Sequence, residues 1–160
     1  MTEFDQESRL IDDDHATTRL WLRMLTCTNL IESTLRSKMR EEFSTTLPRF
    51  DFLAQLQRAP EGLSMGEISQ RMMVSGGNVS GIASHLEAMG WIQRDAEPNN
   101  RRTFIVTLTP LGAERFAEIA QRHEQWLNDS LGQLSSEDHS ALMHALAVLK
   151  RGISEQGDDR

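Results

Sequence analysis

Apolar residues recur at spacings of three and four through Leu20, Met24, Cys27, Ile31, Leu35 and Met39, the repeat of one helix face, and predict a first helix from about His15 to Phe43. Trp21, Leu25 and Leu30 widen that stripe, and a band so wide implies burial on two sides, by the helix's own domain and by another chain. Thr45-Thr46-Leu47-Pro48 breaks the pattern and starts a second helix, since proline is tolerated in a first turn; Phe50, Leu53, Ala54 and Leu56 are its expected inward residues. After the loop Ala59-Pro60-Glu61-Gly62, Ser64-Met65-Gly66-Glu67 reads as a capping box opening a short helix with Ile68, Met72 and Met73 on its apolar face. A further helix starts near Ser75 and closes at Gly90, with Val79, Ile82, Ala83, Leu86 and Met89 inward. The period then shortens. Trp91–Arg94 reads as a strand, Pro98–Arg102 as a turn with two adjacent arginines, and Thr103–Leu108 as a β-branched strand with Phe104, Val106 and Leu108 on one face. Thr109-Pro110 opens a helix to about Leu134 with Leu111, Phe116, Ile119, Ala120, His123, Leu127 and Leu131 on one side. Ser135-Ser136-Glu137-Asp138 caps a last helix to about Ile153, in which Leu142, Leu146 and Leu149 repeat.

Helix, turn, helix, then a hairpin with a cationic tip is a winged helix-turn-helix. The expected fold is therefore mainly α with a small β-hairpin wing, a winged helix-turn-helix domain plus a helical dimerisation stalk. Its parts are an acidic flexible arm (1–14), an N-terminal dimerisation helix (15–46), the winged domain (47–109), C-terminal helices of the dimerisation region (110–153) and an acidic tail (154–160). In such a domain the second helix enters a major groove of double-stranded DNA and the wing reaches the neighbouring minor groove or backbone. Its outward face, Asn78, Ser80, Gly81, Ser84 and His85, is small and polar, uncharged apart from the histidine, and inexpensive to desolvate against base edges. With Ser75, Gly76 and Gly77 before it, and Arg94, Arg101 and Arg102 from the hairpin, these are the candidate DNA contacts. Asn78 is the best candidate for base readout, because an amide can pair bidentately with adenine. The plainer alternative is that Ser75, Asn78 and Ser80 serve as caps and solvent-face residues.

The motifs Gly77-Asn78-Val79-Ser80-Gly81-Ile82, Leu86 through Arg94, Asn100-Arg101-Arg102 and Leu108-Thr109-Pro110-Leu111-Gly112 together resemble the multiple antibiotic resistance regulator (MarR) family of bacterial transcription factors. The resemblance extends more loosely over residues 17 to 153. It implies a homodimer on a pseudo-palindromic operator, acting as a repressor, with Arg102 the favoured minor-groove residue. Two positions depart from the family pattern: Asn100 stands where an aspartate usually holds a wing arginine, and His85 where an arginine is common. The resemblance also implies a small organic effector, often an aromatic acid or phenol, held between the dimer helices and the winged domain. Trp21, Met24 and Phe50 are candidate lining, and Arg19, Arg49 and His123 candidate charge partners, set against their plainer roles in the core and on the surface.

A chain of 160 residues is long enough to bury a core, and its net charge of −7 bears on a nucleic-acid partner. The first sixteen residues carry −5 and residues 154–160 carry −2, so the stretch between is neutral. Few phosphate contacts and strong dependence on groove fit are expected. An acidic N-terminus and the lack of a long apolar run give no sign of a signal peptide or membrane span, and a single cysteine fits a reducing compartment, so a cytoplasmic protein is expected. Cys27 lies on the apolar stripe and is read as a core residue. The alternative, a thiol redox-sensing repressor, needs a setting that stabilises thiolate; the family branch that has one uses tyrosines, and this chain contains none. His139 and His144 are five residues apart and do not share a helix face, so no metal is expected. No cofactor motif or catalytic constellation is present, so an enzyme is not expected. A winged-helix protein-interaction module without DNA binding remains the competing class.

Overall fold

The computed structural model describes residues 15–73 and 78–158. Helix α1 (Ala16–Phe43) ends at Ser44, whose left-handed backbone (φ 50°) lets its N–H return to the Arg40 carbonyl. Thr46 then caps α2 (Leu47–Gln57) by accepting the Arg49 N–H. Helix α2 is gripped from several sides, by α1, by α3 (Met65–Arg71), by α4 (Val79–Ala88) and by strand β3 (Asn100–Leu108). Leu47, Phe52, Leu53 and Leu56 are buried along it, and so are the polar Asp51 and Gln55. A helix enclosed in this way has no single apolar face to betray. That is why the expectation erred here: Phe50 and Ala54 are only half-buried, and Phe52 carries the core.

Strand β1 (Leu63–Ser64), β2 (Ile92–Glu97) and β3 form an antiparallel sheet in the order β1-β3-β2, one strand more than the expected hairpin. Two residues are too few to show a period, so β1 left no mark in the sequence. Gly62 leads into it at φ +89°, and a Cβ there would fall 2.5 Å from Ile105 Cγ2. Val106 lies opposite Leu63 and is fully buried, whereas Phe104 is exposed. Arg101 and Arg102 belong to β3 and not to the turn. Ala96 pairs with Phe104 but Glu97 pairs with Asn100, so Arg101–Thr103 are extra residues bulging from the strand.

The capping box of α3 is present in both directions: Ser64 Oγ accepts the Glu67 N–H, and Glu67 Oε2 accepts the Ser64 N–H at 2.8 Å. These bonds hold the Glu67 carboxyl below its ordinary pKa, the backbone N–H of Ser64 first and its hydroxyl second. Helix α3 stops at Arg71, leaving Met73 outside it and largely exposed rather than on an inner face. Helix α4 buries Ile82, Ala83 and Leu86, exposes Met89, and gives way to Gly90 at φ +74°. Thr109 opens α5 (Pro110–Leu131): its hydroxyl donates to the Gly90 carbonyl at 2.6 Å and accepts the Gly112 N–H at 3.0 Å. Ile119 and Trp126 are buried along α5, while Leu111 and Leu131, expected inward, are exposed.

The chain divides into two compact units, one up to Glu124 and one from Gln125. In the second, Ser135 Oγ accepts the Asp138 N–H at the head of α6 (Ser136–Asp158), which continues well past Ile153 into the expected tail. Leu142, Met143, Leu146, Val148, Leu149 and Ile153 of α6 are exposed. In the first unit Leu20, Trp21, Leu25 and Leu30 of α1 are exposed, and burial on that helix is confined to Leu35 and Met39. Cys27 is exposed as well, contrary to the core reading, because it sits on the uncovered part of the stripe. The expected arm over 1–14 lies outside the described residues. No helix among the described residues is long and apolar enough to cross a membrane.

Candidate nucleic-acid interface and adjoining cleft

Asn78 begins α4 as its N-cap, its side-chain oxygen accepting the Gly81 N–H at 3.3 Å. The oxygen keeps a second lone pair and the amide nitrogen its donors, so the cap by itself does not exclude a bidentate contact to a base. Ser80, Gly81, Ser84 and His85 follow on the exposed side of α4, while Ile82, Ala83 and Leu86 fix the opposite side in the core. Ser75, Gly76 and Gly77 lie outside the described residues.

Arg94, a candidate DNA contact, already has a partner within the chain. From β2 its Nε donates to Glu87 Oε2 at 2.8 Å, and its Nη2 reaches the same oxygen, so the guanidinium joins the wing to α4. A partly exposed pair of this kind contributes at most about 1 kcal/mol to stability. Arg101 and Arg102 are exposed and have no ion-pair partner among the described residues. Asn100 shows what the departure from aspartate does: its Oδ1 accepts the Arg102 N–H at 3.1 Å and its Nδ2 donates to Thr103 Oγ1 at 3.0 Å. The amide ties down the bulge itself and leaves both arginine side chains available.

A cleft of about 500 Å³ lies between α1 and α2 and is closed by Met73 and His123. Ile31, Leu35, Phe50 and Ala54 supply its apolar wall. Phe50 stacks on Phe116 with ring centroids 5.4 Å apart and lies 4.7 Å from the His123 ring. Burial pushes the His123 pKa below its ordinary value, which keeps the ring neutral at pH 7. Of the expected effector residues, Phe50 and His123 line this cleft; Arg19, Trp21, Met24 and Arg49 are not part of its lining, and Trp21 is exposed. The charges at the cleft are instead Glu32, Asp51 and Arg58. Glu32 is paired with Arg36 one turn along α1, and Asp51 accepts Gln55 Nε2 at 2.8 Å and the Met73 N–H at 2.6 Å. Arg58 has no ion-pair partner among the described residues. One signal of this site was present in the sequence: an acid set inside the apolar run Phe50-Asp51-Phe52-Leu53 has to be hydrogen-bonded if the run is buried.

Comparison with known proteins agrees with this architecture. The model of the MarR family matches residues 43–103. A MarR family transcriptional regulator from Silicibacter pomeroyi is 34% identical, with a TM-score of 0.75 over 91% of this chain and 97% of that one. The transcriptional activatory protein BadR of Rhodopseudomonas palustris is 28% identical over 88% of this chain and 81% of its own length. Sco3205, a MarR family regulator of Streptomyces coelicolor solved in complex with DNA, shares the fold at 20% identity, with a TM-score of 0.72 over 83% of this chain and 84% of that one. Its winged helix-turn-helix, with a three-stranded sheet beside the second helix, and its similarity over nearly its whole length to the Silicibacter regulator make this chain a member of the MarR family of transcription regulators.

Proposed function

We propose that this chain works as a cytoplasmic homodimeric repressor that binds a pseudo-palindromic operator through α4 and the wing and is released by a small organic anion. The observation that carries the DNA reading is the exposed, small, polar face of α4 beside two wing arginines that have no ion-pair partner among the described residues. Ser80, Gly81, Ser84 and His85, preceded by Ser75–Gly77 and Asn78, face the major groove, and Arg101 and Arg102 take the minor groove or backbone. The DNA complex of the Streptomyces relative supports the same use of the fold. The apolar surface left open on α1 and α6 supports dimerisation through residues 15–46 and 110–153, with the recognition helices one helical turn, roughly 34–36 Å, apart.

The effector reading rests on the cleft. Its carboxylates are already engaged and its histidine is neutral, so Arg58 is the group suited to a carboxylate, with Phe50 and Ile31 against an aromatic ring. Arg58 takes the role first given to Arg19 or Arg49. The test is a fluorescence titration of a duplex enriched from a random library by the wild-type protein, with benzoate, its hydroxylated analogues and phenol as probes. Wild type should bind, weaken steeply with salt through counterion release, and lose affinity when a probe is added. Arg58→Met should keep binding and lose the response. Binding indifferent to salt would favour the interaction-module reading. Release that persists in Arg58→Met would remove the anion assignment. BadR's name favours a second sign of action, activation, which a reporter assay with the gene deleted and restored separates from repression.

A further inference from the structure

Asp51 is a buried carboxylate on the helix at the centre of the core, and the surface reading of the winged domain gives it no part. Its two oxygens face different ways. Oδ1 accepts from the buried Gln55 one turn along α2, which fixes the carboxylate's rotation; Oδ2 accepts the backbone N–H of Met73 at 2.6 Å, twenty-two residues away. A charge-assisted bond to a backbone N–H inside a poorly solvated site is strong and directional. Met73 is the residue just beyond the end of α3, its side chain is largely exposed, and only residues 74–77 separate it from Asn78, the cap of α4. Five residues span at most roughly 17 Å, so an anchor at Met73 limits where α4 can begin.

We propose that Asp51 is a positioning residue for the recognition helix: by holding the Met73 N–H it sets the point from which the chain leaves α3 for α4. The burial of Ile82, Ala83 and Leu86 holds the middle of α4, and the Arg94–Glu87 pair holds its far end to the wing. Asp51 supplies the fixed point at the near end, where helix-turn-helix proteins make their base contacts. This rests on α4 being the helix that reads DNA, while the anchor itself is a property of the protein without DNA.

The experiment uses the full-length chain with four substitutions. Asp51→Ala removes the acceptor, Asp51→Asn keeps one acceptor oxygen, Met73→Pro removes the donor from an exposed position, and Met73→Ala keeps the donor while trimming the side chain. Amide hydrogen exchange is followed on the free proteins, and affinity is measured on the duplex enriched by wild type. In Asp51→Ala and Met73→Pro, exchange should quicken over residues 72–82 while α1 and α5 exchange as in wild type, and affinity should fall by about tenfold or more. Met73→Ala should stay near wild type in both, and Asp51→Asn, which keeps an acceptor for the Met73 N–H but loses the charge, should fall between wild type and Asp51→Ala. If Asp51→Ala does not fold, the Met73 pair decides alone. Wild-type exchange over 72–82 in Met73→Pro, or a quickening spread evenly over the chain, would overturn the proposal. A local quickening with no change in affinity would overturn its link to DNA. Failure of wild type to enrich or bind any duplex would instead sink the DNA reading of α4, leaving the exchange result to judge the anchor.

Discussion

Gly112 shows how closely single positions are specified in this fold. A Cβ built on it would lie 1.8 Å from the Trp91 carbonyl oxygen, so the first turn of α5 meets the start of β2 backbone to backbone. Because the obstacle is main chain, no rotamer change can relieve it. Gly112→Ala should lower unfolding free energy by about 1–3 kcal/mol, as overpacking does, read as a lower denaturant midpoint with an unchanged slope. His123 is the counterpart on the side of charge. Its folded pKa lies below the ordinary value near 6.5 because burial disfavours the imidazolium. The unfolded chain therefore takes up the proton first as pH falls. Stability from keeping the ring neutral is complete above the unfolded value, and is lost as pH drops from there through the folded pKa. Thermal melts should show a decline through this window in wild type that is smaller in His123→Gln.

At the scale of the element, α4 is defined by its two ends. Asn78 caps it, and Gly90 in a left-handed turn releases it into β2. Asn78→Ala should cost about 1 kcal/mol of stability, and Asn78→Ser, which keeps a capping oxygen, should restore most of it. Selection on the two variants divides cap from readout: if the Asn78 amide nitrogen also reads a base, Asn78→Ser will be as stable as wild type yet relaxed in sequence preference. Elements with a local signature were legible from the residues alone. The capping box at Ser64, the Thr109-Pro110 start and the long repeat of α1 are of that kind, because each follows from bonds or spacings within a few positions. What could not be read depended on partners distant in sequence. Strand β1 exists only because Leu63 meets Val106, and Arg94 is an ion-pair residue only because Glu87 turns toward it. The same holds for the cleft. Phe50 and His123 were visible as an aromatic and a titratable group on apolar faces, but Arg58 sits just past the end of α2 and gains its position from the fold.

For the whole molecule, the apolar surfaces have a consequence beyond architecture. Leu20, Trp21, Leu25 and Leu30 on α1, and the leucine repeat of α6, face water in the lone chain. If a second copy covers them, folding and pairing become one equilibrium governed by mass action. Each hundredfold dilution should then remove about 2.7 kcal/mol per dimer, and the melting temperature should fall with it. A melting temperature independent of concentration across the range where sedimentation shows dissociation would contradict this. In the cell the same law links stability to abundance. A chain made at very low copy number would spend more of its time unpaired and open to proteolysis. With such pairing, the exposed stripe would set a lower limit on the regulator's own concentration, through surface chemistry far from the candidate DNA contacts.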